Sequence, residues 1–276
     1  MLNNQNELLT IGMNFLLTNS RTFFIPISRL SGELQEAVAS AYLCMRAIDE
    51  IEDHPEMPRD AKAHLLREVS RWLSSDEPEE ALDRVFAPYS EPLPEVTLRL
   101  KDWVRLCPAS AASLVKKSTA VMAAGMADWV DKDWNVQTLE DLDHYTYCVA
   151  GAVGELLSDL WRWHDGTETD REKAVAFGRG LQAVNILRNY GEDEERGVSF
   201  FPEDWNQERM FAYARRNLEG ADAYVETLQP GQILEFCTIP LALAHGTLEA
   251  LSSGDGKLSR ERVMSIVSRV TEQGIQ

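Results

Sequence analysis

Cysteine is scarce in this chain of 276 residues: Cys44, Cys107, Cys148 and Cys237 lie far apart, and no two form a Cys-x-x-Cys pair. That excludes a dense disulfide framework and a thiolate zinc site, and it predicts the reduced thiols of a cytoplasmic protein. Basic residues are also few, 27 Lys and Arg against 45 Asp and Glu, for a net charge of −18. Long-range attraction to nucleic acid is thereby excluded as a basis of function, and an anionic substrate would call for metal ions. No uncharged apolar run approaches the roughly 20 residues of a membrane span. The opening Met1-Leu2-Asn3-Asn4-Gln5-Asn6 lacks the basic and apolar regions of a signal peptide. The five histidines, at 54, 64, 144, 164 and 245, show no ligand spacing and receive no metal role.

What is present is helical periodicity. Apolar residues recur at three and four positions, as in Leu34, Val38, Ala41, Tyr42, Met45 and Ile48, while the strict alternation of a strand is hard to find. Breaks rich in Pro, Gly and Ser, such as His54 to Pro58, Pro88 to Pro94 and Gly197 to Pro202, cut the chain into about ten helices. The segments 31–53, 109–134, 139–164 and 171–192 are long enough for a bundle around a central cavity. None of the breaks reads as a flexible linker, so one all-α domain over residues 1–276 is expected. Gly178-Arg179-Gly180 follows no strand and cannot support a dinucleotide fold.

Two acidic clusters stand out. Asp49, Glu52 and Asp53 sit at i, i+3 and i+4, on one helix face where three oxygen-bearing side chains can hold Mg²⁺. With so many acids, about one such triple arises by chance. Asp76, Glu79 and Glu80 are an instance that straddles Pro78 and reads as a solvated helix start. The 49–53 cluster differs because it ends an apolar helix, where acids oppose the macrodipole. Asn189, Glu192 and Asp193 repeat the spacing at the end of a second apolar helix. Arg46 and Arg188 stand beside the two clusters, so together they could bind a diphosphate through bridging Mg²⁺. Read singly, each cluster also fits a solvated helix end with a local salt bridge.

These residues resemble the squalene and phytoene synthase family, in five motifs that occur in order. Ser20-Arg21-Thr22-Phe23 is similar to its opening motif, and Tyr42 through Arg46 to Asp53 resembles its first aspartate-rich motif, in the form found in squalene synthases. Tyr145 through Val149-Ala150-Gly151 to Gly154 resembles the central segment, and Gln182, Asn185 and Arg188 lead into the second acidic motif. Phe201-Pro202 and Phe236-Cys237-Thr238-Ile239-Pro240 are closer to squalene than to phytoene synthases. The family usually has Asp at the position of Asn189; an amide offers a metal an oxygen but no charge.

The resemblance implies an all-α, isoprenoid synthase-type bundle that condenses two farnesyl diphosphates through presqualene diphosphate to squalene. Two or three Mg²⁺ would be held by Asp49, Glu52, Asp53, Asn189, Glu192 and Asp193. Ser20, Arg21, Tyr42, Arg46, Arg188 and Arg196 would take the diphosphates, with Gln182 and Asn185 beside them. Tyr145 would assist proton removal or stabilise a cation, and Asp49, Asp53 and Asp193 are counted with it as catalytic. Phe23, Val149, Gly151, Phe236, Cys237 and Pro240 would meet the alkyl chain. Read alone, Phe23, Phe236, Cys237 and Pro240, like Tyr145, also fit ordinary core packing, and Gly151 fits a close helix contact. Lys257 and Arg260 fall roughly where the family carries basic residues for NADPH, though a solvated helix start accounts for them equally well. The membrane anchor of many eukaryotic relatives is expected to be absent, leaving at most peripheral membrane contact for release of a lipophilic product. Three alternatives stay open: a phytoene or dehydrosqualene synthase without reduction, a single-substrate phosphatase or terpene cyclase, and a non-catalytic relative.

Overall fold

The computed structural model describes residues 2–195 and 197–273. Among them there are fourteen α-helices, one 3₁₀ turn, one π-helical turn and no strand. The chain divides into two compact units, Met1–Asp133 and Trp134–Gln276.

The first unit holds α1 (Leu2–Asn19), α2 (Arg21–Ser28), α3 (Gly32–Glu52), α4 (Arg59–Leu73), α5 (Glu79–Phe86), α6 (Glu95–Leu98), α7 (Leu100–Leu106) and α8 (Ala112–Asp131). The predicted segment 31–53 appears as α3, and 109–134 as α8, its start delayed by the turn after Pro108. Helix α3 is the core element. Leu34, Ala37, Val38, Ala41, Cys44, Ala47, Ile48 and Ile51 are all buried. Ser40 Oγ donates to Trp103 O at 2.6 Å and Thr97 Oγ1 to Ala47 O at 2.9 Å, which satisfies both buried hydroxyls. The helix ends at Asp53, before His54-Pro55, because the residue preceding a proline is pushed out of the α region. Asp76 lies before α5 and Glu79 opens it, so that acidic triple shares no helix face.

The second unit holds α9 (Leu139–Thr146), a π-helical turn (Tyr147–Gly151), α10 (Ala152–Asp165), α11 (Arg171–Glu195), α12 (Gln207–Val225), α13 (Gln232–Ser252) and α14 (Arg260–Gln273). Thr138 and Asp141 form a reciprocal capping box at the start of α9. The predicted helix 139–164 exists but is broken by the π turn, which falls on the motif segment Tyr147-Cys148-Val149-Ala150-Gly151. Gly166, at φ 81°, closes α10 in the left-handed conformation glycine tolerates. Helix α11 is the core element here. It packs on the π turn through Gly178, on α10 where Gly154 admits Ala174, and on α12 where Gly220 admits Ala176 and Gly180 admits Leu218. No helix among the described residues is long and apolar enough to cross a membrane.

Candidate active site

In the first unit, Ser20 caps α2, its Oγ accepting from the Phe23 amide at 3.5 Å, and the same hydroxyl hydrogen-bonds the Tyr42 phenol. The Phe23 and Tyr42 rings lie 5.4 Å apart, tilted, so both contacts tie α2 to α3. Burial pushes the Tyr42 phenol above its ordinary value, against the lowering effect of Ser20 and Arg46. Arg21 opens α2, but its side chain lies outside the described residues.

One turn further along α3, Arg46 Nη1 pairs with Asp49 Oδ2 at 2.7 Å and Nη2 with Glu50. Arg46 Nε is buried and has no hydrogen-bond partner. Asp49 keeps 35% of its side chain in solvent. Burial first, then the neighbouring Asp53 charge, push its carboxyl up to about 7 against the pull of Arg46. Asp53 is the exposed C-cap residue, whereas Glu52 is buried, and its backbone carbonyl accepts from Lys62 Nζ at 2.6 Å. The shared face expected of the triple thus divides: Asp49 and Asp53 interact, while Glu52 is buried at the last turn.

In the second unit, Tyr145 is 6% exposed and stacks on Phe200, with centroids 4.6 Å and planes 19° apart. Val149 lies half-buried on the π turn and Gly151 is buried. A Cβ on Gly151 would stand 3.1 Å from Val175 Cγ1 and 3.2 Å from Tyr147 Cδ2. A π turn inserts one residue into the helical ladder, a feature concentrated at functional sites, and it changes which side chains of this motif share a face. Along α11, Gln182 and Asn185 are half-buried, two turns and one turn before Asn189. Exposed Arg188 donates from Nε to Asn189 Oδ1 at 3.2 Å. Asp193 is buried to 6% exposure, and Glu192 Oε1 meets Lys257 Nζ at 2.5 Å. Arg196 lies outside the described residues. Phe236 packs edge-on against Trp161, Cys237 is buried with its thiol pushed well up by desolvation, and Pro240 sits inside α13. Arg260 is exposed at the first residue of α14.

Among the described residues, no group of three His, Cys, Asp or Glu side chains stands ready to hold an ion. Metal uptake at either cluster would therefore need its carboxylates to draw together. The donor set still suits a hard divalent cation, since burial and the Asp53 charge, which together raise Asp49, are both offset by added positive charge.

Sequence reasoning passed over Arg179. Its Nη2 donates to Asp143 O at 2.9 Å, its Nε is buried without a partner, and it stands one turn before Gln182 on α11. A charged residue between two glycines inside the predicted helix 171–192 was the available signal.

A family model described as squalene/phytoene synthase matches residues 16–210, a stretch that holds both acidic clusters but not Lys257 or Arg260. The squalene synthase of Candida albicans is 34% identical over 204 residues, 68% of this chain and 44% of that protein. The solved complex of TcSQS with the ligand E5700 has a TM-score of 0.76 at 23% identity, over 98% of this chain and 89% of its own. A dehydrosqualene synthase in complex with a ligand gives 0.66 at 18% identity, over 98% and 97%. The fold is the all-α isoprenoid synthase type. The chain spans about half the length of the curated relatives it matches. It belongs to the squalene/phytoene synthase family.

Proposed function

We propose that this protein is a prenyltransferase that joins two farnesyl diphosphates head to head, through presqualene diphosphate, to squalene, using Mg²⁺ and, for the reduction, NADPH. The observation that carries the reading is Arg46: a guanidinium that positions Asp49 while its own buried Nε remains without a partner. A donor left unsatisfied in this way is costly unless an anion arrives to accept from it.

On this reading Asp49, Glu52 and Asp53 in the first unit, and Asn189, Glu192 and Asp193 in the second, would hold Mg²⁺. When bound, the ion supplies positive charge that lowers the cost of diphosphate departure. Arg46, Arg21 and the Ser20 and Tyr42 hydroxyls in the first unit, and Arg188 and Arg196 in the second, would each bind diphosphate groups, one of which leaves as the allylic C–O bond breaks and the electron pair goes with oxygen. Tyr145, dry and stacked on Phe200, would offer its ring face to the cation and its hydroxyl to the departing anion. Gln182 and Asn185 would hydrogen-bond the diphosphate. Phe23 in the first unit, and Val149, Gly151, Phe236, Cys237 and Pro240 in the second, would pack the alkyl chains and keep water from the cation. Arg260, with Lys257 once it leaves Glu192, would meet a phosphate of NADPH, which supplies hydride. We further propose a single functional domain in the cytoplasm, with peripheral membrane contact when the apolar product departs.

Asn189 favours a second reading, a single-substrate enzyme that releases a prenyl alcohol or a cyclic product. Its amide adds no charge for a metal and its oxygen already accepts from Arg188. Incubation with farnesyl diphosphate and Mg²⁺, with and without NADPH, followed by mass spectrometry of extracted products, separates the readings. Squalene only with NADPH is expected. Dehydrosqualene or presqualene diphosphate regardless of NADPH would remove the reduction, and farnesol or a cyclic C15 product alone would overturn the coupling.

A further inference from the structure

We infer that Lys257 is the built-in counter-cation of Glu192, which a divalent ion must displace before it can occupy the second acidic cluster. The inference rests on the proposal that this cluster takes metal. Lys257 Nζ reaches Glu192 Oε1 at 2.5 Å across 65 residues of sequence. It is delivered there by the short link between α13 and α14, where Gly254 and Gly256 adopt φ of 79° and 75° and turn the chain back.

Charge makes the pairing consequential. Asn189 brings none, and its Oδ1 accepts from Arg188. Lys257 therefore offsets the charge of Glu192, one of the two carboxylates this cluster offers an approaching cation. Releasing Lys257 restores one negative charge and frees a carboxylate oxygen together. The release is easy, because 55% of the Lys257 side chain and 65% of Glu192 are in solvent. An ion pair that exposed is worth no more than about a fivefold factor in an equilibrium constant. Lys257 therefore weakens metal binding without blocking it, and acts through Glu192 as a positioning residue.

The test is Mn²⁺ binding to the full chain followed by electron paramagnetic resonance, with inorganic diphosphate present and no turnover. Lys257→Met should tighten the weakest Mn²⁺ site about two- to fivefold, and Lys257→Arg should leave it near wild type. Added Mg²⁺ should raise acetylation of Lys257 by acetic anhydride, read by peptide mass spectrometry. Glu192→Gln should remove or weaken that same Mn²⁺ site, and unchanged binding in this variant would overturn the metal reading of the cluster. If Glu192→Gln weakens the site while Lys257→Met, folded by circular dichroism, binds Mn²⁺ no more tightly than wild type, the metal reading stands and the counter-cation role fails.

Discussion

Gly178 on α11 lies against Ala150 of the π turn, backbone to backbone, and one turn away Gly154 on α10 receives the backbone of Ala174 on α11 in the same way. A Cβ on Gly154 would fall 2.0 Å from Ala174 O, and one on Gly178 would fall 2.2 Å from Ala150 O. Neither clash involves a side chain that can rotate away. Gly154→Ala must push α10 away from α11, and Gly178→Ala must push the π turn away from it, each at a cost of about 3 kcal/mol or more. Chemical denaturation should show a large drop in midpoint for either variant. By contrast Gly191→Ala, where a Cβ meets nothing within 4 Å, should match wild type.

Asp49 gives stability a pH dependence of defined sign. Its carboxyl is raised from 3.8 to about 7 in the folded chain, so between those values the folded state keeps a proton the unfolded state has lost. Its contribution is most favourable below about pH 4, declines as pH rises toward 7, and is level above. Asp49→Asn should flatten that slope and raise stability at pH 8 by about 1–2 kcal/mol. This is less than the unscreened shift would give, because a third of the side chain is in water. The same substitution should lower turnover by about 10²–10³, the scale of losing one preorganised electrostatic contact. Thermal melts from pH 4 to 8, with product assay alongside, check both.

Asn189→Asp adds a charge next to Arg188 and within the same helical turn as Glu192 and Asp193. It should lower the Mg²⁺ concentration needed for half-maximal rate several-fold, by the electrostatics of an added carboxylate ligand. An unchanged Mg²⁺ dependence would remove Asn189 from the ligand set.

All four cysteines are buried thiols outside any disulfide. Burial pushes the Cys44 and Cys237 thiols far up and Cys107 to about 12, so the reactive thiolate is scarce at neutral pH. A disulfide exchange reagent at pH 8 should label less than one thiol per chain within minutes in native protein, and four after denaturation. Rapid native labelling would show that these sites open.

The helices were readable from sequence because their cause is local. Apolar spacing of three and four residues, with Pro and Gly at the breaks, placed α3, α8 and α11 to within a few residues, and the ordered motifs placed the chain in its family. The triple at 49, 52 and 53 was legible as spacing only. That spacing does not reveal that Glu52 is buried while Asp53 caps the helix and raises Asp49, because those outcomes depend on what packs against the last turn. The break in helix 139–164 was hidden too, since Tyr147 to Gly151 keeps an apolar helical pattern while its backbone takes a π turn.

The sequence by itself determined an all-helical chain, the positions of two acidic helix ends and the identity of the family, since these follow from residue type and short-range period. Only the tertiary structure decided that Gly178 faces Ala150, that Tyr145 stacks on Phe200 and that Lys257 meets Glu192. Partners so far apart in sequence are chosen by close packing and by charge acting through space, and neither leaves a period for the sequence to display.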